Sequence, residues 1–261
     1  MERYEEIDIM KGIAILCMIL FHIFYFPNQY GFTEIKYDTL PLLTTAKIAQ
    51  FIFLISVGIN LVFSYYSSKK KKEDQKKYIQ KNIYRVFKLG FFALFMTLFT
   101  YFIFGEKYVK FGILHFIALS SLVLFPFVNN MKIIYSILIL LTIIYFLLRS
   151  NPSIFSNVPP KLAFISGFYS NYQSIDHFPI VPWMILICIG IILGHFIYKE
   201  KPKFPEKIKD KYLTKILETS GKYSLEIYII HWLIIYIIFC HIYPNYIRNV
   251  PVFDTSLQTT I

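Results

Sequence analysis

Lys11 and His22 lie in the apolar run IDIMKGIAILCMILFHIFYF, residues 7–26. A helix facing lipid gains nothing from an ammonium or an imidazole, and polar residues inside such runs usually face other helices and mark function. Eleven positions on a helix make close to three turns, with an offset of about 20° and an axial separation of roughly 16 Å. The two side chains therefore share one stripe, cation near one end and imidazole near the other. Asp8 precedes Lys11 by one turn and is spaced to pair with it. The chemistry on offer is an anchor for an anion and, at a distance, a proton acceptor. The plainer alternatives are a lysine that snorkels to lipid headgroups and a histidine that bonds a neighbouring helix.

Three further residues belong with His22. His115 opens an apolar run in FGILHFIALSS, and Asp176 and His177 stand in SIDHFPIVPW, just before Trp183. Imidazole with carboxylate is the equipment of general acid–base catalysis. His115 and Asp176 are candidates to orient His22 or an acceptor, and His177 and Trp183 to touch that acceptor. The His and Asp spacings match no standard metal motif, so no metal is expected. Arg85 and Lys88 in KNIYRVFKLG are one turn apart and could clamp a phosphate. Basic residues at a helix end also simply meet lipid phosphate. In GKYSLEIYIIHW, Ser224, Tyr228 and His231 fall on one stripe, and His231 is expected to bond another helix.

These residues need helices to hold them. The chain is 56% hydrophobic and only 16% charged, a balance that a soluble domain rarely carries. The apolar residues come in blocks long enough to cross a hydrocarbon layer of about 30 Å. The expected fold is all-α, a polytopic transmembrane helical bundle with about seven spans: 7–26, 44–65, 86–104, 111–127, 133–148, 181–198 and 224–242. Residues 1–243 are read as one transmembrane domain and 244–261 as a polar tail. The first span lacks a cleavage-site pattern and is expected to remain in the mature protein.

The net charge of +11 would suggest nucleic acid in a soluble protein. Here Lys and Arg gather in short loops between apolar runs, a topology signal instead, so no nucleic-acid partner is expected. The N-terminus and the 69–85 and 199–222 loops are assigned to the cytoplasm, in a multi-pass protein of the cell membrane. His22, His115, Asp176 and His177 then share the outer end. Cys17, Cys188 and Cys240 are scattered through apolar runs and form no paired framework.

The order IDIMKGIAILCMILFH, IAQFIFLISVGINL, RVFKLG, FGILHFIALS, DHFPIVPWMILICIGIILG and GKYSLEIYIIHW resembles the catalytic domain of heparan-alpha-glucosaminide N-acetyltransferases and their microbial relatives, within the wider transmembrane acyltransferases. Arg85-Val-Phe-Lys88 is similar to that group's double-basic motif, with Lys in place of the second Arg. The resemblance implies transfer of acetyl from acetyl-CoA, on the cytoplasmic side, to a sugar amine or hydroxyl on the far side. It implies His22 as the essential histidine, either base or transient acyl carrier, and Arg85 and Lys88 as contacts for the CoA phosphates. Lys11 is a further candidate contact, because a stripe with cations inside and imidazole outside has the polarity of a cofactor with phosphates at one end and a thioester at the other. The animal lysosomal enzymes have extra helices and a lumenal domain that this sequence does not contain, so their heparan substrate is not carried over. Expected partners are acetyl-CoA, a sugar or glycan acceptor and the lipid bilayer, with a homo-oligomer left open. The rival reading is a small transporter or permease lined by the same polar residues; the internal repeats common in transporters are not visible.

Overall fold

The structure is a computed structural model that describes residues 5–29, 39–151, 162, 164–165, 174–199 and 212–242. Among the described residues eight α-helices run in chain order: α1 (Glu5–Gln29), α2 (Leu40–Lys70), α3 (Gln75–Phe104), α4 (Ile113–Leu124), α5 (Met131–Ser150), α6 (Ile180–Lys199), α7 (Tyr212–Lys222) and α8 (Ser224–Ile242). Six of them are long and apolar enough to cross a membrane, and a shorter apolar helix covers Ile113–Phe127. The protein is thus all-α and multi-pass. The polar tail 244–261, and residues 200–211 of the expected 199–222 loop, lie outside the described residues; residues 212–222 of that loop are helix α7.

Two of the helices outrun their expected spans. α2 has 31 residues and α3 has 30, about 45 Å each at 1.5 Å per residue, against roughly 30 Å of hydrocarbon. The excess is basic: α2 ends on Lys69 and Lys70, and α3 begins QKKYIQKNIYR. Lys and Gln are good helix formers, so the helix continues where the apolar pattern stops. All of the expected 69–85 loop except residues 71–74 is therefore helix, and Lys72 supplies a left-handed residue in the turn between them. α4 is short for a different reason. Pro126 follows it in a 3-10 turn, where a residue without an N–H cannot prolong the helix.

The chain divides into two compact units. One comprises Tyr4–Phe53 and Pro205–Ile261, the other Leu54–Phe204 with Met1–Arg3. In the first, α1 packs against α7 and α8. The α1–α7 crossing depends on two glycines: a Cβ on Gly12 would strike the backbone of Leu217, and one on Gly221 the backbone of Asp8. Small residues permit this approach. Asp8 is buried there and its carboxylate meets Lys11 at 3.6 Å.

In the second unit, α3 packs on α4 and α5 on α6. α2 and α6 cross backbone to backbone where Gly58 lies on Ile187 and Gly190 on Ile55. His195 adds a polar tie. Its Nε2–H donates to the Val128 carbonyl (2.7 Å), so its Nδ1 accepts from the Tyr66 hydroxyl (3.0 Å). Outside the packed faces, α3 exposes Phe87, Phe91, Leu94, Leu98 and Phe102, while Ala93, Met96 and Thr100 are buried. A stripe of this size on a soluble monomer would be an anomaly; against lipid tails it is the expected surface.

Candidate functional site

Each unit holds one group of the residues singled out in the sequence, and the helices explain each placement. In the first unit, His22 stands two-thirds of the way along α1 and His231 in the middle third of α8. Their rings lie side by side and nearly coplanar, 5.0 Å between centroids and 14° between planes, and His22 Nδ1 lies 2.8 Å from His231 Nε2. Phe26 stacks on His22 at 4.9 Å and packs edge-on against Trp232 at 3.9 Å. Phe26, His231 and Trp232 are all buried.

The protons of this pair follow from one further bond. His231 Nδ1 lies 3.1 Å from the carbonyl of Ile227. A carbonyl only accepts, so His231 carries its proton on Nδ1. In a neutral pair His231 Nε2 is then an acceptor, and His22 Nδ1–H must donate to it. The one remaining lone pair is on His22 Nε2. The tautomer of a histidine is set by the bond its other nitrogen makes, and here that bond is made by a second histidine. The expectation that His231 bonds another helix is met, and its partner is His22.

In the second unit, the residues before α4 and α6 are clasped together. Phe111 and His177 form an isolated parallel bridge, with Phe178 N–H donating to the Phe111 carbonyl (3.0 Å) and Ile175 N–H to that of Lys107 (3.0 Å). Ser174 Oγ accepts from Lys110 N–H (3.3 Å) and shares its one proton between two carbonyls, the nearer that of Asp176 (2.8 Å) and the other that of Tyr108 (3.1 Å). Asp176 Oδ2 accepts from Ile113 N–H at 3.0 Å. The first N–H groups of a helix lack partners inside it, so Asp176 caps α4 from another segment. Gly112 makes room, since a Cβ there would collide with the carboxylate. Asp176 and His177 thus come to the start of α4, the helix that carries His115.

His115 is also fixed by proton arithmetic. Thr97 Oγ donates its single proton to the Val109 carbonyl (2.8 Å) and lies 3.1 Å from His115 Nε2. The hydroxyl proton is committed, so His115 Nε2–H is the donor and Nδ1 holds the lone pair. That Nδ1 is buried without a hydrogen-bond partner among the described residues. Trp183 packs on Phe178 at 4.9 Å, beside the clasp.

The cations are divided between the units. Lys11 pairs with Asp8 in the first. In the second, Arg85 is half-buried on α3 and Lys88 is exposed, its ammonium 6.0 Å from the Phe92 ring centre. Tyr78, two turns before Arg85 on the same face, donates to the Phe125 carbonyl (3.2 Å), and buried Asn82 bonds the Tyr78 carbonyl (2.8 Å). Among the described residues, His, Cys, Asp and Glu form no group of three able to hold a metal ion.

The spans of this multi-pass helical protein thus hold a pair of imidazoles, and the helix capped by Asp176 carries a third. The sequence model of heparan-alpha-glucosaminide N-acetyltransferase, catalytic domain, matches residues 3–233. The chain belongs to that family, a family of membrane acetyltransferases. Comparison with the curated proteins and with the solved structures found no match.

Proposed function

We propose that the protein is an integral membrane acetyltransferase that moves acetyl from acetyl-CoA to an amine or hydroxyl of an amino sugar or glycan on the far side of the membrane. The observation that carries this reading is the hydrogen-bonded imidazole pair, which leaves the lone pair of His22 on Nε2. Family membership supports the reaction class.

The step needs one base. The acceptor nitrogen or oxygen attacks the thioester carbonyl, and His22 Nε2 takes the proton that the acceptor loses. The C–S bond breaks, and the thiolate of CoA takes that proton from His22 Nε2–H. The products are the acetylated acceptor and free CoA, with His22 restored. General base catalysis of this kind is worth about 10²–10⁴ in rate. Arg85 and Lys88 are the proposed contacts for the CoA phosphates, with Lys11 a further cation, since guanidinium and ammonium groups bind phosphate through charge-assisted hydrogen bonds. His115 and Asp176 are proposed to serve the acceptor, His115 through its unpartnered Nδ1 and Asp176 by holding the start of α4, with His177 and Trp183 beside them.

The test is direct. Purified protein in nanodiscs is given acetyl-labelled acetyl-CoA and a panel of amino sugars, and free CoA and labelled sugar are followed together. Acceptor-dependent release of both in equal amounts supports the reading. Absence of transfer to every acceptor, together with uptake of sugar or protons into sealed proteoliposomes, would replace it with the transporter reading.

A further inference from the structure

His231 has no assigned role in the reaction above, yet its ring is buried, nearly coplanar with that of His22 and bonded at both nitrogens. We propose that His231 is the positioning residue of the transferase: it fixes His22 in the Nδ1–H form, so that Nε2 is the basic nitrogen. The inference deepens the proposed function and rests on it for the part that concerns turnover.

The argument is one of hydrogen-bond capacity. Ile227 presents only an acceptor, which sets His231 as the Nδ1–H tautomer and turns its Nε2 into an acceptor. His22 answers with Nδ1–H. The chain therefore runs Ile227 C=O, His231 Nδ1–H, His231 Nε2, His22 Nδ1–H, and ends in the free pair on His22 Nε2. When His22 takes a proton at Nε2 it becomes an imidazolium. Its positive charge then sits against the lone pair of His231, a charge-assisted bond stronger than the neutral one it replaces. His231 would thus stabilise the charge that develops in the reaction, besides setting ring orientation. A carboxylate serves this purpose in the familiar triads. A neutral imidazole does so here without placing a full negative charge inside a membrane span, where such charges are costly.

The ring planes support this use. The 14° angle between them and the stacking of Phe26 on His22 leave the imidazole little freedom to flip and present Nδ1 in place of Nε2.

Two variants separate positioning from packing. His231→Phe keeps an aromatic ring for packing and removes the acceptor. His231→Gln loses the ring and restores an acceptor, its amide oxygen, to His22 Nδ1–H. The first readout is nitrogen-15 NMR of histidine-labelled protein in nanodiscs, which reports which His22 nitrogen bears the proton. The expected result is Nδ1–H in the native protein and in His231→Gln, and loss of that single tautomer in His231→Phe. The second readout is turnover. kcat should fall about 10²–10³-fold in His231→Phe with KM for acetyl-CoA within about threefold, and His231→Gln should recover to within about tenfold of the native rate. An unchanged His22 tautomer in His231→Phe overturns the proposal, as does an equal kcat loss in both variants. The NMR arm decides the role of His231 even if the native protein transfers no acetyl group, an outcome that would count against the proposed function alone.

Discussion

A threonine has one hydroxyl proton, and the use Thr97 makes of it decides the state of His115. Because Val109 takes that proton, His115 must give its own from Nε2. Such deductions depend on which groups meet, and the sequence does not contain them. His22 and His115 stand out on composition alone, as imidazoles in apolar runs. The pairing of His22 with His231, 209 positions away, is a tertiary fact. Asp176 is the instructive case. Its neighbours in SIDHFPIVPW suggest a carboxylate ready for acid–base work, whereas one of its oxygens caps α4. Asp176→Ala should lower stability in detergent by about 1 kcal/mol, the usual cost of a lost cap, and Asp176→Asn should keep most of it; thermal unfolding of the purified variants measures both. Arg85→Ala should raise KM for acetyl-CoA about tenfold or more. A charge-assisted hydrogen bond contributes roughly 1.5–3 kcal/mol, and 1.4 kcal/mol is a factor of ten. Steady-state kinetics at fixed acceptor give the number.

At the scale of helices, every apolar run long enough to span was visible, because hydrocarbon thickness sets a minimum length that loops do not reach. α7 was not. It has only 11 residues, YLTKILETSGK, and its lysines read as part of a basic loop. Its apolar residues line one face at helical spacing, too few to register as a run. What seats it is the pair Gly12 and Gly221, where the backbones of α1 and α7 approach. Gly221→Leu places a side chain against the Asp8 backbone. Overpacking of this kind costs about 1–3 kcal/mol, and here the cheapest relief is undocking of α7. Limited proteolysis should show new cleavage near Tyr212–Lys222 in that variant and none in the native protein.

For the whole molecule, the argument turns on sidedness. From the Lys and Arg excess in 69–85 and 199–222 we propose that those segments face the cytoplasm. In a background with Cys17, Cys188 and Cys240 replaced, a cysteine placed in 149–180 should label from outside intact cells, and one in 69–81 should not. The reverse pattern would invert the arrangement and with it the direction of transfer. Family membership over residues 3–233 supports the reaction class, and His22 of the imidazole pair is the base we propose for it. The most direct measurement is acceptor-dependent release of CoA by purified His22→Ala beside the native protein, each monodisperse in the same detergent. The account predicts a loss of at least about 10²-fold, the low end for general base catalysis. Native turnover in His22→Ala would contradict it.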